Sequence, residues 1–185
     1  QDTATIGETF NYRITVPATP YPVPLYDVRI TDNLNGSAAD QTYVSVTKVS
    51  GTGAWNPVNT GDTKNLVIED TATGIDIAPG EQVVLDVTVR LDDSAANIAG
   101  LTFTNTADYT YNRLNDAPAT ILGGMPGTTE PMTIVEPDLT LEKSGPPQMQ
   151  LGVPGTFTLN VHNIAGSPAH NLTIYDALPN QADGG

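Results

Sequence analysis

The chain has 185 residues, 21 Asp and Glu against 7 Lys and Arg, a formal net charge of -14 at pH 7 and no cysteine. That charge argues against a nucleic-acid backbone or an anionic membrane surface as partner. The missing cysteines exclude disulfides and thiolate metal sites. No apolar run approaches the length of a membrane span, so direct membrane insertion is not expected.

Taken in chain order, the sequence reads as strands almost throughout. Phe10, Tyr12, Ile14 and Val16 alternate with Asn11, Arg13 and Thr15, the period of a half-buried strand. Val28, Ile30, Asp32 and Leu34 share one face of a second strand, Val44 and Val46 belong to a third, and Leu66 and Ile68 to a short fourth. Ala78-Pro79-Gly80-Glu81 has turn chemistry, with Pro presetting one φ and Gly supplying the other. It leads into the cleanest alternation in the chain, where Val83, Leu85, Val87, Val89 and Leu91 face one way and Asp86, Thr88 and Arg90 the other. Residues 92–100 read as a connection with room for one helical turn. Residues 101–112 read as one long strand, with Leu101, Phe103, Asn105, Ala107, Tyr109 and Tyr111 on a single face. The Pro-, Gly- and Thr-rich stretch 113–131 reads as a long surface loop, after which Met132 to Val135 resumes the extended pattern. No amphipathic helix is predicted. The fold class is all-β, an immunoglobulin-like sandwich.

The chain also repeats itself. Residues 151–161 lie over residues 6–16 at an offset of 145, and Pro168 to Leu178 lie over Pro24 to Leu34 at an offset of 144. Gly7/Gly152, Val16/Val161, Pro24/Pro168, Ile30/Ile174, Asp32/Asp176 and Leu34/Leu178 are identical, with apolar residues matched between them. The expected organisation is a sandwich over residues 1–136 and the opening strands of a second, similar repeat over 137–185, with Glu136-Pro137 at the junction. The second stretch is too short to bury a good core alone. The counterpart of the strand around Asp138 to Lys143 falls before residue 1, so the first domain is expected to lack its own first strand.

The segments PDLTLEKS at 137–144, LGVPGTFTLNVHN, SPAHNLTIYDALP, IAPGEQVVLDVTV and FTNTADY together resemble a repeat family of prokaryotic surface proteins. That family is the DUF11 type, the conserved repeat domain of large cell-surface proteins, and the chain also resembles the related fimbrial isopeptide-forming domains. The resemblance implies a secreted or surface-anchored, extracellular protein whose repeats form an extended shaft. Its partners would be neighbouring repeats or subunits of the same protein.

One constellation has chemical potential. Leu139, Leu141 and Lys143 share a strand face, Asp176 shares one with Leu172, Ile174 and Leu178, and Asp32 and Asn105 sit on predicted inward faces. An inward Lys, Asp and Asn in this order resemble the autocatalytic Lys–Asn isopeptide sites of fimbrial domains. Burial favours a neutral, nucleophilic lysine and a protonated carboxyl able to polarise an amide and relay protons. The competing reading is that the inward Asp and Asn satisfy backbone groups while Lys143 turns its head to water.

No enzyme signature accompanies this site. His162 and His170 lie eight apart, a spacing unsuited to zinc on one element, and no histidine neighbours a nucleophile turn. No cofactor is expected. Calcium is the one candidate ion, through Asp92-Asp93 and the junction acids Glu136, Asp138 and Glu142. Trp55 and the Tyr21-Pro22-Val23-Pro24 run are candidates for an aromatic end that contacts a glycan or a host protein, or that simply packs on the sandwich. Three readings follow: a shaft repeat, a filament subunit assembled by strand donation between chains, and a glycan- or protein-binding adhesin module.

Overall fold

The computed structural model describes residues 2–71, 73–115 and 121–178. The chain divides into two compact units, residues 1–135 and 136–185.

Unit 1 is built from β1 (Thr3–Thr5), β2 (Thr9–Val16), β3 (Leu25–Asn33), a single 3-10 turn (Leu34–Gly36), β4 (Gln41–Ser50), β5 (Pro57–Asn59), β6 (Asn65–Asp70), β7 (Ile75–Ile77), β8 (Val83–Leu91), β9 (Thr102–Phe103), β10 (Thr106–Asn112), β11 (Ile121–Gly123), β12 (Gly127–Thr128) and β13 (Met132–Val135). These strands make an all-β sandwich. One layer is the antiparallel sheet β2-β8-β4. The other runs β11-β10-β3-β6-β5, with β7 added to β3 and β12 to β10. A small third sheet, β1-β13-β9, contains the parallel pair β1/β13.

β8 shows how the sequence makes the fold. Its five inward aliphatics are at most 2 % exposed, while Val84, Asp86 and Thr88 are half-buried and Arg90 is open to solvent. The strand lies between β2 and β4, so one face is committed to the core along its whole length. Each such side chain contributes about 1.5–3 kcal/mol of transfer free energy. Val28 and Ile30 of β3 and Leu66 and Ile68 of β6 belong to the same buried cluster, joined by Phe10 and Tyr12 of β2.

Three sequence expectations change. The strand predicted over 101–112 is broken at Thr104-Asn105, because the chain changes sheets there: β9 pairs with β13 and β10 with β3. The break is pinned by the Asn105 amide donating to Thr129 Oγ1 and the Thr129 amide to the Asn105 carbonyl. The stretch predicted as loop over 113–131 contains β11 and β12, short edge pieces whose backbone pairing with β10 needs no side-chain alternation; residues 116–120 lie outside the described ones. Residues 92–100 form turns with no helix, closed by Asn97, whose side chain bonds Asp40 and Asp92 backbone groups.

Unit 2 contributes the antiparallel pair β14 (Leu139–Ser144) and β15 (Thr158–Asn163), with Lys143 opposite Leu159 and Leu141 opposite Val161. Every residue of β14 is exposed, and so are Phe157, Leu172 and Ile174.

Candidate functional site

Two positions carry the polar residues that alternation placed among apolar ones. In unit 1, Asp32 lies near the end of β3 and Asn105 just before β10, and the pairing of Ala107 with Asp32 draws the two together. Asn105 Nδ2 donates to Asp32 Oδ2 at 2.7 Å. Both residues are buried, at 1 % and 4 % exposure. Their remaining oxygens, Asp32 Oδ1 and Asn105 Oδ1, are also buried and have no hydrogen-bond partner. Burial pushes the Asp32 carboxyl up to about 6, and the Asn105 hydrogen bond offsets part of that rise.

In unit 2, Lys143 Nζ meets Asp176 Oδ1 at 2.6 Å and lies 4.9 Å from the centre of the Phe157 ring. Asp176 is the repeat equivalent of Asp32. The lysine shares its strand face with Leu139 and Leu141, yet its side chain is 36 % exposed. Among the described residues, unit 1 thus brings an acid against an amide and unit 2 an acid against an amine. Both acids stand at equivalent positions of the repeat.

Sequence reasoning missed a second buried acid–amide pair. Asn112 Nδ2 donates to Asp27 Oδ2 at 2.7 Å, and both side chains are buried. Asp27 has φ +52, and the β3/β7 register shifts between Leu25 and Val28; the β3/β10 register shifts between Thr110 and Asn112. Bulges at both places turn inward residues that strict alternation assigns outward. The Tyr12 hydroxyl donates to Gln41 Oε1 inside the sandwich, where burial and the nearby Asp32 raise its pKa well above the ordinary tyrosine range.

The aromatic candidates occupy two recesses that share Pro24. Trp55 lines one of about 840 Å³ with Tyr26, Asp27, Asp70 and Asp76; Tyr21 lines another of about 420 Å³ with Tyr111 and Leu122. Lys48 Nζ sits 4.5 Å from the Trp55 ring centre, and Trp55 Nε1 donates to the Thr52 carbonyl at 2.9 Å. No cluster of three or more His, Asp or Glu side chains able to hold a metal ion occurs among the described residues. Of the acids considered for calcium, Asp92 is engaged by Lys64, Arg90 and Thr42.

No family model matches the chain, and no curated protein matches it. Among solved structures it is similar to two domains of the major pilin SpaD from Corynebacterium diphtheriae, at 16% identity over 78% of this chain and 51% of that one, with a TM-score of 0.44. It is similar to the collagen binding subdomain of the Enterococcus faecalis surface protein ACE, at 12% identity over 70% of this chain and 92% of that one, TM-score 0.40. A cohesin module from a Clostridium perfringens family 33 glycoside hydrolase gives 9% identity over 72% and 90%, TM-score 0.39. Likenesses this distant carry no argument about what the chain does.

Proposed function

We propose that the chain is a non-enzymatic structural repeat of a secreted or surface-anchored prokaryotic protein, and that its sandwich is built to be closed by a Lys–Asn amide. The observation that carries this reading is the buried Asp32–Asn105 pair with one unpartnered acceptor oxygen on each side chain. A buried acceptor left without a donor costs about 1–3 kcal/mol. A lysine amine can supply donors to both oxygens, and Lys143 Nζ donates to one oxygen of Asp176, the repeat equivalent of Asp32.

The chemistry follows from the residues. An arriving ammonium gives a proton to Asp32 and becomes a nucleophile. The neutral amine attacks Asn105 Cγ, polarised by the protonated carboxyl. The new Nζ–Cγ bond forms as the Cγ–Nδ2 bond breaks, and the proton passes through Asp32 to the leaving nitrogen, which departs as ammonia. No oxidant, cofactor or metal takes part. The product ties a first strand to the strand at the other end of the sandwich, so a pull along the shaft meets a covalent bond instead of a peelable ladder.

The test uses a Lys143→Ala chain and a synthetic peptide of the sequence at 137–144. The expected product has the summed mass of chain and peptide less one ammonia. It is absent with Asn105→Ala, or when the peptide's lysine is replaced by arginine. A folded chain that forms no adduct with excess peptide overturns the amide reading.

A further inference from the structure

We infer that the recess lined by Trp55 in unit 1 is a binding site for a neutral sugar ring of a glycan, a role separate from the proposed cross-link. At about 840 Å³ the recess falls within the ~300–1,000 Å³ typical of small-molecule sites. Trp55 and Tyr26 supply its aromatic wall. The indole is held from two directions. Its Nε1 donates to the Thr52 carbonyl at 2.9 Å, and Lys48 Nζ lies 4.5 Å from the ring centre while donating to the Gly53 carbonyl at 2.6 Å. A fixed aromatic platform loses little conformational freedom when a ligand stacks on it. The polar side of the recess is fixed too. Asp27 is buried in a left-handed conformation, φ +52, where its carboxyl accepts from Asn112 Nδ2 at 2.7 Å and its amide donates to Asp76 Oδ1 at 3.1 Å. Holding a non-glycine residue there costs free energy that the surrounding contacts must offset, and such positions cluster at ligand sites.

The ligand class follows from the chemistry of the lining. Asp27, Asp70 and Asp76 bring three carboxylates to the recess, and no lysine, arginine or histidine lines it among the described residues. Anionic ligands are therefore repelled. A ligand cation would suit the carboxylates, but the indole it would share already carries the Lys48 ammonium, and like charges on one ring repel. What suits both walls is an uncharged group with an apolar face for the indole and several hydroxyl donors for the carboxylates. A hexopyranose has both. Its axial C–H groups make a ring face apolar, and its equatorial hydroxyls point outward around the rim. Hydroxyls that donate to carboxylates form the stronger class of hydrogen bond, so orientation is set by the acids and contact area by the indole.

Trp55 is the chain's single tryptophan, so its fluorescence reports on the recess directly. The full chain is titrated with neutral trimers of glucose, galactose, mannose and N-acetylglucosamine, and with a galacturonate trimer and trilysine as charged comparisons. At least one neutral trimer should change the Trp55 emission saturably, and the galacturonate trimer should not. By calorimetry, Trp55→Ala and Asp70→Ala should each weaken that binding by about tenfold or more, with urea midpoints showing that both variants fold. Tyr21→Ala, which alters the neighbouring recess, should bind as the wild type does. If no neutral trimer shifts the emission or releases heat, the inference is overturned. Trilysine bound in their place would make this a cation site, and galacturonate bound as tightly as the neutral trimers would remove the role given to the carboxylates. Sugar binding that survives Trp55→Ala but not Tyr21→Ala would move the site to the other recess. None of these outcomes bears on the amide, because Asp32 and Asn105 do not line this recess.

Discussion

Burial takes water from both oxygens of Asp32, and Asn105 returns a hydrogen bond to only one of them. The carboxyl consequently prefers to be neutral in the folded state, at about 6 against an ordinary 3.8. The sign of the linkage is fixed by that order. The folded chain binds the Asp32 proton more tightly than the unfolded chain, so this residue's favourable contribution is complete below about pH 4 and is lost as pH rises through about 6. At 1.36 kcal/mol per unit the change is roughly 3 kcal/mol. Asp62, held down by the backbone amides of Asn65 and Lys64, and Asp86, held down by Arg13, act in the opposite direction and obscure the raw profile. Comparison with Asp32→Asn cancels them. The stability of the wild-type chain minus that of the variant, measured by urea unfolding, should fall by roughly 3 kcal/mol between pH 4 and pH 7. A flat difference would show that the Asp32 carboxyl is hydrated.

Among the elements, β8 and the β3/β7 contact mark two different ways of holding the sandwich. Leu85 is fully buried at the middle of the central strand, and Leu85→Ala should cost about 2–5 kcal/mol in urea unfolding through lost transfer energy and a cavity. Gly74 acts by shape instead. Its φ is +91, and a Cβ there would lie 2.5 Å from the Asp27 backbone. Gly74→Ala should therefore displace the β3 bulge and break the Asp27–Asn112 bond; an unchanged urea midpoint would refute that contact. β8 was legible because five aliphatics at period two, entered by a Pro-Gly turn, leave no competing reading. Asp32 and Asn105 were legible as inward polar residues for the same reason. What alternation cannot give is register, and so it could not say that these two side chains meet across β3 and β10. Asp27 and Asn112 were hidden because bulges break the period on which the reading depends. The sheet change at Thr104-Asn105 was hidden because the apolar pattern continues through it, and β11 and β12 because edge pieces of two or three residues are specified by partners distant in sequence.

At the scale of the whole chain, the two units differ in how much they bury. The buried hydrophobic cluster lies entirely within unit 1, while unit 2 leaves Leu139, Leu141, Phe157, Leu172 and Ile174 exposed. Amides of β14 and β15 should therefore exchange with little protection while those of β8 exchange only on global opening.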